Sequence, residues 1–273
     1  TMTDIETLKN MIDESENVVF FGGAGVSTES GIPDFRGKDG LYKKKYDVDP
    51  EYLLSVECFE DHPDWFWDFY RNKILIDGVK PNNAHYALVK LEESGKLKAI
   101  VTQNIDNLHE LAGSKKVYHI HGTINTCHCP YCGKTFTLDE IKKMPLVPRC
   151  DCGLTDNYIE NKLKEYKQSG KIKEASELER KINEEKQVIE PDIVLYGEPL
   201  PRKVWNDARV AVADADLLIV AGTSLSVYPA NTLVIGFQGK YLVIINDEAT
   251  NYDEYADLVI HDSIGKTLKE AIE

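Results

Sequence analysis

The chain has 273 residues, of which 42% are hydrophobic and 29% are charged, and its formal net charge is −14 at pH 7. This length suffices for one large domain with a smaller module, and no apolar run approaches the roughly 18 residues of a membrane span. Because the negative charge repels phosphate and anionic lipid, we expect no membrane association and no direct nucleic-acid partner.

The amino-terminal region predicts a capped helix, since Thr3-Asp4-Ile5-Glu6 matches a capping box and the amphipathic pattern ends near Glu16. Apolar runs of strand length follow at Val18–Phe21, Ala99–Thr102, Val117–Ile120, Ile193–Tyr196, Leu217–Ala221, Tyr241–Ile245 and Leu258–Ile260. Helical spacing lies between several of them, as in Ala84, Ala87, Leu88 and Leu91. Unbroken apolar strands that alternate with helices are typical of an α/β fold, with a parallel sheet covered on both faces.

Two stretches interrupt this pattern. Residues 38–79 are rich in aromatic residues without a strand pattern, which predicts a helical excursion. In residues 155–187, 16 of 33 side chains are charged and apolar residues recur at helical spacing around Ser169-Gly170, which predicts a helical hairpin. We therefore expect a large domain over 1–37, 80–125 and 192–273, and a small domain over 38–79 and 126–191. The hairpin is interpreted as a solvated insertion or, alternatively, as a contact with a partner.

Glycines and polar residues follow the first predicted strand. A glycine turn between a strand and a helix, here Gly22-Gly23-Ala24-Gly25, suits a phosphate, but Thr28 stands where a dinucleotide fingerprint has its third small residue. A tight turn without a ligand thus remains open. The segment Ser27–Arg36 gathers hydroxyls, a carboxylate and a guanidinium that could pair with phosphate, although a surface loop would have similar chemistry.

Polar residues also follow the later strands, at Gln103-Asn104-Ile105-Asp106, His119-Ile120-His121, Gly222-Thr223-Ser224 and Asn246-Asp247. Because the carboxyl ends of parallel strands meet at one edge, we expect these side chains to lie together. Helix capping would account for Asn104 or Asp106 alone. Alternation puts His119 and His121 on the same side, and the ordinary pKa of histidine suits proton transfer, although a structural role is the alternative.

Five of the six cysteines fall between Cys127 and Cys152, which without a secretory signal argues for a metal site in a reducing compartment, the cytoplasm. The pairs Cys129/Cys132 and Cys150/Cys152 are separated by 17 residues, a spacing typical of zinc. Four thiolates fill a tetrahedral site, so the zinc is structural. Cys127 could compete for the metal, whereas Cys58 is interpreted as a buried apolar residue.

Taken together, these motifs resemble the sirtuin family of NAD⁺-dependent protein-lysine deacylases. The matching segments occur in family order and are Gly23–Ser27, Gly31–Arg36, Gln103–Asp106, His121-Gly122, the four cysteines, Pro191–Glu198, Gly222–Leu225 and Ile245-Asn246. The hairpin is the main departure from the family, whose members usually pass from the last cysteine to the Pro-Asp strand within a few residues. The single residue between Cys150 and Cys152 is a second departure.

The resemblance implies a Rossmann-like domain with a small helical and zinc-binding domain, NAD⁺ as co-substrate, a structural Zn²⁺, and acylated-lysine proteins or peptides as substrates. It implies that His121 is the general base and that Asn104 positions the nicotinamide ribose. Residues that contact NAD⁺ would be Ala24, Gly25, Thr28, Phe35, Arg36, Gln103, Ile105, Asp106, Thr223, Ser224, Asn246, Asp247 and Ile264. Gly197-Glu198 and Ser226-Val227 would flank the peptide as an added strand.

Several other functions remain as alternatives. The same pocket would serve a mono-ADP-ribosyltransferase or an NAD⁺ hydrolase, although His121 and the peptide-flanking segments favour deacylation. An NAD-dependent oxidoreductase lacks support from the glycine pattern, and a non-catalytic sensor is disfavoured because His121 and Asn104 are both present. A deacylase that prefers longer or acidic acyl groups is a further alternative. Some family members that prefer acidic groups carry a Tyr-x-x-Arg pair; here the stretch is Tyr70-Arg71-Asn72-Lys73, so a cation is available but the arginine is displaced. Plain deacetylation is the expected main activity.

Overall fold

The computed structural model describes residues 1–34, 47–152, 157–185 and 187–273. These residues form two compact units. Unit 1 comprises Thr1–Tyr52, Ile76–Thr123 and Ile193–Glu273, and unit 2 comprises Leu53–Leu75 and Ile124–Asp192. Each unit is therefore assembled from stretches that are separate in sequence. Within the described ranges, no helix combines the length and the apolar character needed to cross a membrane.

The strands are β1 (Val18–Gly22), β2 (Leu97–Thr102), β3 (Val117–His119), β4 (Gly122–His128), β5 (Thr135–Thr137), β6 (Glu190–Ile193), β7 (Leu217–Ala221), β8 (Tyr241–Ile245) and β9 (Leu258–Ile260). The helices are α1 (Asp4–Glu14), α2 (Gly25–Thr28), α3 (Pro50–Leu53), α4 (Val56–Asp61), α5 (Pro63–Phe69), α6 (Asn83–Glu93), α7 (Leu108–Ala112), α8 (Leu138–Lys142), α9 (Asn157–Gln168), α10 (Ile172–Glu185), α11 (Arg202–Asp214), α12 (Thr232–Ile235) and α13 (Ile264–Ile272). A π-helical turn spans Tyr70–Ile74, and a 3₁₀ turn spans Asp253–Tyr255.

Unit 1 is built on a six-stranded sheet in the order β3-β2-β1-β7-β8-β9, and every pair in it is parallel. The predicted strands β7, β8 and β9 are found residue for residue. All five residues of β1 and of β7 are buried, because these two strands occupy the middle of the sheet. The α/β class with a parallel sheet is therefore confirmed.

Alternate side chains of the buried strands enter two separate clusters, one on each face of the sheet. Phe20 packs in the cluster that includes residues of α1, α6 and α13, such as Leu268. Its neighbour Phe21 packs in the other cluster, with Val212 of α11 and Leu233 of α12. The prediction of helices on both faces is confirmed.

The first helix shows the predicted capping box, in which the Glu6 amide donates to Thr3 Oγ1 (3.1 Å) and the Thr3 amide donates to Glu6 Oε2 (2.9 Å). The helix ends at Glu14, two residues before the predicted end near Glu16, because Ser15 adopts an extended backbone.

The predicted strand at Ile193–Tyr196 is wrong. The strand here is β6, which ends at Ile193 and belongs to a three-stranded sheet in the order β5-β4-β6. Beyond it, the Leu195 amide donates to Glu198 Oε1 (2.9 Å) and the Glu198 amide donates back to the Leu195 carbonyl (3.0 Å). This turn directs the Leu195 amide to Glu198, so the regular strand does not continue through the rest of the apolar sequence.

The described part of the predicted excursion is helical. In unit 2, α4, α5 and the π-helical turn bury Phe66, Trp67 and Tyr70, and the Trp67 indole donates to the carbonyl of Ile189 (3.2 Å). These aromatic residues anchor the short helices, which are too short to be stable through their own backbone hydrogen bonds.

The charged segment forms the predicted hairpin. Helices α9 and α10 are joined at Ser169-Gly170, where Gly170 has a φ of +71° that favours glycine. The chain on either side of the hairpin is paired, since the Cys150 amide donates to the carbonyl of Gln187 and the Ile189 amide donates to the carbonyl of Pro148, both at 2.9 Å.

Replacing Phe20 by Ala should lower the free energy of unfolding by about 3–5 kcal/mol, because its ring is fully buried in the middle of the sheet. Denaturant titration of the purified protein measures this loss. The matched control is Tyr255→Ala, whose ring is 69% exposed, with an expected change within about 0.5 kcal/mol. Equal losses in the two variants would contradict this account of the core.

Candidate active site and metal centre

The strand order of unit 1 reverses at β1. From β1 the chain adds β2 and β3 on one side, and β7, β8 and β9 on the other. In an open parallel sheet, ligands bind outside the carboxyl ends of the strands at such a reversal. The segments that follow β1 and β7 therefore define the candidate site.

The loops after β1 and β7 touch backbone to backbone. The Gly25 amide donates to the carbonyl of Gly222 (2.8 Å), and a Cβ atom on Gly25 would lie 2.6 Å from the Gly222 Cα. Gly222 has a φ of +65°, and its own Cβ would lie 2.5 Å from the Val26 nitrogen. The Gly23 amide is likewise bonded, to the carbonyl of Ala221 (3.1 Å). These glycines are thus required by the contact between the two loops, which the interpretation as a phosphate turn did not include.

Asn104, which follows β2, is held by its side-chain nitrogen. Nδ2 donates to the carbonyl of Gly23 (2.8 Å) and to Ser27 Oγ (3.2 Å), and the Ser27 hydroxyl donates to Asp106 Oδ2 (2.7 Å). Because both Nδ2 hydrogens are used inside the protein, the amide can offer a ligand only its oxygen. Asn104 is therefore a fixed hydrogen-bond acceptor at the edge of the sheet.

Asp106 is a buried carboxyl in the same network. Burial raises its pKa, and hydrogen bonds from Ser27 and the Leu108 amide oppose that rise. The Leu108 amide donates to Oδ1 (3.1 Å) at the start of α7, so a capping role accounts for one of the two oxygens. The other oxygen fixes Ser27, and through it Asn104.

His121 lies in the turn between β3 and β4, next to the segment that contains Asn104. Its Nδ1 is 3.1 Å from the carbonyl oxygen of Gln103, which can only accept, so Nδ1 carries the hydrogen. Burial lowers the pKa of His121, and the Gln103 bond offsets only part of this shift. The ring is therefore neutral at pH 7, with a lone pair on Nε2, the form that a general base requires.

The residues after β7 and β8 have more local contacts. Thr223 Oγ1 accepts from Gln103 Nε2 (3.2 Å), which links the ends of β7 and β2, whereas Ser224 Oγ lies 2.7 Å from Ser226 Oγ. Asn246 follows β8, one strand further from β1, and its Nδ2 donates to the carbonyl of Glu248 (2.9 Å). Asp247 is the next residue of that loop.

The remaining predicted contacts lie around α2 and α13. Ala24 and Gly25 begin α2, Thr28 ends it with its hydroxyl on the carbonyl of Gly25 (3.0 Å), and Ile264 is the buried first residue of α13. Ile105 lies between Asn104 and Asp106. Phe35 and Arg36 lie outside the described residues.

Unit 2 contains the four predicted metal ligands, whose sulfur atoms all lie within 4.8 Å of one another: Cys129, Cys132, Cys150 and Cys152. A tetrahedral Zn²⁺ with Zn–S bonds of about 2.3 Å separates its sulfurs by about 3.8 Å, so the cluster fits zinc. The observed Cys129–Cys152 and Cys132–Cys150 sulfur distances are 3.3 and 3.8 Å, too long for disulfides. Within the described ranges, Cys127 is fully buried and is not part of this cluster.

Comparison with known proteins decides the family. The Sir2 family model matches residues 23–229. The chain belongs to the Sir2 family. The NAD-dependent protein deacetylase of Clostridium acetobutylicum is 47% identical, over 98% of this chain and 98% of that protein. The one of Cutibacterium acnes is 44% identical, over 96% and 95% of the two chains.

Solved Sir2 structures share the fold of this Sir2 chain. One, described with a deacetylated p53 peptide and 3′-O-acetyl ADP-ribose, is 33% identical with a TM-score of 0.78, over 99% of this chain and 100% of that chain. Another, Sir2Tm bound to a propionylated peptide, is 32% identical with a TM-score of 0.76, over 98% and 96%. The resemblance drawn from the motifs and the fold class are both confirmed.

Three side chains of this Sir2 chain hold the site together without having been assigned a role from the sequence. Ser27 connects Asn104 with Asp106, Glu29 accepts from the Ser263 hydroxyl (2.8 Å) and the Gly265 amide (3.3 Å), and His119 contacts the carbonyl of Asn104. Ser27 lies inside a matched motif, which could have drawn attention to it. The sequence carries no comparable signal for the other two pairings.

Replacing Cys150 by Ser should abolish zinc binding and lower the melting temperature, because removal of one thiolate opens the four-sulfur site and metal binding is coupled to folding. Metal analysis of the purified variant and circular dichroism melts measure both effects. Cys127→Ser is the matched control and should keep zinc in an equimolar amount. Equal zinc loss in the control would make Cys127 a ligand.

Proposed function

We propose that this chain is an NAD-dependent protein-lysine deacetylase, which transfers the acetyl group of an acetyl-lysine to the ADP-ribose of NAD⁺ and releases nicotinamide. The observation that carries the proposal is the neutral His121, with its Nδ1 on the carbonyl of Gln103 and its Nε2 left with a lone pair. That base follows β3 of a Sir2-family sheet, and its Nδ1 contacts the residue next to the fixed acceptor Asn104.

The residues near the reversal of strand order at β1 are suited to bind the two halves of NAD⁺. In this proposal, the Asn104 oxygen accepts a hydrogen bond from a hydroxyl of the nicotinamide ribose, and Ile105 and Asp106 hold the nicotinamide amide. Thr223, Ser224, Asn246 and Asp247 hold the adenosine half, and Ala24, Gly25, Thr28, Gln103 and Ile264 line the pocket. Phe35 and Arg36, which lie outside the described residues, are proposed to complete it.

His121 is proposed to remove a proton from a ribose hydroxyl, so that this oxygen can attack the acyl group once nicotinamide has left. A base in this position contributes roughly 10²- to 10⁴-fold to a rate. The cysteine cluster takes no part in the step, because four thiolates leave a zinc ion no open position for a substrate. Zinc would instead stabilise unit 2.

Deacylation is favoured over ADP-ribosyl transfer or NAD⁺ hydrolysis by the relatives, which are named as deacetylases, and by the peptides in solved Sir2 structures. The six unpaired cysteines support a reducing compartment, and we propose the cytoplasm. The charged hairpin is proposed to be a solvated insertion, since most of the described side chains between residues 159 and 182 are exposed. The net charge supports the absence of a nucleic-acid partner.

The surroundings of Arg71 are relevant to which acyl group the enzyme prefers. Its guanidinium donates to the carbonyls of Ile141, Pro145 and Leu146 at 2.8–3.1 Å, and it lies over the Trp67 ring. These bonds use three of its five N–H donors, and burial lowers its pKa. Because these contacts hold the guanidinium on backbone carbonyls, we propose that it is not the cation for an acidic acyl chain, which supports plain deacetylation.

The purified protein should deacetylate an acetyl-lysine peptide only when NAD⁺ is present, with nicotinamide released in equal amount. His121→Ala should lower kcat by roughly 10²- to 10⁴-fold, because the base is lost. Peptide mass and nicotinamide release are followed together. His62→Ala, a partly exposed histidine of unit 2, serves as the matched control and should keep its activity. Nicotinamide release without any change in the peptide would replace this proposal with an NAD⁺ hydrolase or an ADP-ribosyltransferase.

Acetyl-lysine peptides should be processed faster than succinyl-lysine peptides of the same sequence, because Arg71 is engaged by carbonyls. The ratio of kcat/KM for the two peptides measures this preference. A ratio that strongly favours succinyl-lysine would show that another cation, such as the exposed Lys73, serves the acyl chain.

A further inference from the structure

The first histidine of the His119-Ile120-His121 segment has a different environment from the second. His119 is the last residue of β3, and its Nδ1 lies 3.1 Å from the carbonyl oxygen of Asn104. Its Nε2 is bonded to the carboxylate of Glu110 in α7. Only 12% of the His119 side chain is exposed, so protein atoms surround most of the ring.

The chemistry of the two partners fixes the protonation of His119. A backbone carbonyl and a carboxylate can only accept, so both ring nitrogens must carry hydrogen for both contacts to form. A neutral imidazole carries one N–H and would turn a lone pair toward one of the two oxygens. The geometry therefore describes an imidazolium paired with Glu110, whereas His121, with one acceptor, is neutral.

The surrounding charges agree with this assignment. Burial alone lowers the pKa of His119, but the hydrogen bond and charge of Glu110, the Asn104 carbonyl and the Asp106 carboxyl together raise it above its ordinary value. His109 of α7 also faces this ring, but burial lowers the pKa of His109 to about 3, so it is neutral. From α11, Lys203 lies within electrostatic range of the neighbouring Tyr118.

We propose that His119 is a positioning residue of the deacetylase: as an imidazolium anchored on Glu110, it holds the carbonyl of Asn104 and thereby fixes the peptide unit that joins Asn104 to Ile105. This inference rests on the proposed function, in which Asn104 binds the nicotinamide ribose and Ile105 binds the nicotinamide amide. Asn104 is then held at three points, since its own amide donates to Thr102 Oγ1 (3.0 Å) and its Nδ2 is bonded to Gly23 and Ser27.

The positioning role has a defined direction with pH. A group whose pKa is raised in the folded protein keeps its contacts below that pKa and loses them as the pH rises through it. Above the raised pKa of His119, the ring has one N–H for two acceptors, so its hydrogen bond to the Asn104 carbonyl is weakened. The pKa of His121 is lowered. The loss of activity at acid pH, when His121 is protonated, is therefore separate from the loss at alkaline pH (the alkaline limb), when His119 is deprotonated.

Glu110→Gln distinguishes a charged positioning residue from a neutral structural one. A glutamine amide can donate to the Nε2 lone pair of a neutral His119, whose Nδ1–H then stays on the Asn104 carbonyl. The contact with Asn104 is preserved in this variant but no longer needs a charge. The variant should therefore lose the alkaline limb while keeping activity near neutral pH.

Histidine-ring NMR of the free protein tests the charge without any substrate. At pH 7 we expect both ring nitrogens of His119 to be protonated and His121 to be the neutral Nδ1–H form, with His119→Ala and His121→Ala supplying the assignments. In Glu110→Gln, the pKa of His119 should fall. A neutral His119 at pH 7 in the unsubstituted protein would overturn the inference.

Kinetics and NAD⁺ binding test the consequence. Between pH 6.5 and 9.5, kcat/KM for NAD⁺ in the unsubstituted protein should fall by about tenfold, with KM rising more than kcat falls. His119→Ala should be impaired about tenfold at every pH, and Glu110→Gln should give a flat profile. An identical alkaline limb in Glu110→Gln, or an unimpaired His119→Ala, would overturn the positioning role.

Calorimetric titration with NAD⁺ distinguishes failure of the positioning role from failure of the proposed reaction. If the peptide is not deacetylated but NAD⁺ affinity weakens at high pH in the unsubstituted protein and not in Glu110→Gln, the positioning role stands and the proposed reaction fails. If deacetylation proceeds while neither affinity nor kcat/KM responds to these variants, the reaction stands and the positioning role fails.

Discussion

The close contact between the loops after β1 and β7 is the constraint on which the candidate site depends. Gly25 and Gly222 meet there without room for a Cβ atom, and the Gly25 amide bonds across the gap. The contact is possible because β1 and β7 are neighbours and parallel, so their carboxyl ends stop at the same level. Asn104 extends the same junction to β2, because its amide donates to the carbonyl of Gly23. The ends of β1 and β7 are thereby joined by main-chain atoms, and the end of β2 is joined to them by the side chain of Asn104.

Two histidines two residues apart illustrate how the number of acceptors sets a chemical role. His121 meets one carbonyl and His119 meets a carbonyl and a carboxylate, although both rings are largely enclosed by protein. Burial by itself would make both rings neutral. The carboxylate of Glu110 supplies the difference, and it is placed by the single helical turn of α7, which in turn begins at the Asp106 cap. The protonation of His119 at the end of β3 thus depends on α7, the helix that follows the neighbouring strand β2.

The sequence predicts the sheet well because fully buried strands carry continuous apolar runs, as β7, β8 and β9 do. The same signal fails at Ile193–Tyr196, where the regular strand ends at Ile193 and the Leu195 amide donates to the Glu198 side chain although the apolar run continues. In the site, spacing identifies the four cysteines, and the motifs identify Asn104 and His121 as candidates. The bond between Ser27 and Asp106 joins residues 79 apart in sequence, so it follows from the folded arrangement and not from local pattern. The charge of His119 likewise depends on a partner that only the fold brings close.

The paired chain at the base of the hairpin explains how a large segment can be present without disturbing the metal centre. The backbone bonds from Cys150 to Gln187 and from Ile189 to Pro148 hold the entry and exit of the segment side by side. A short turn could span the same two points, so the length of what lies beyond them is free to vary by insertion or deletion. The hairpin begins after Cys152, the last of the four cysteines, and lies beyond this paired base. Changes within the hairpin would therefore leave the spacing of the four cysteines as it is.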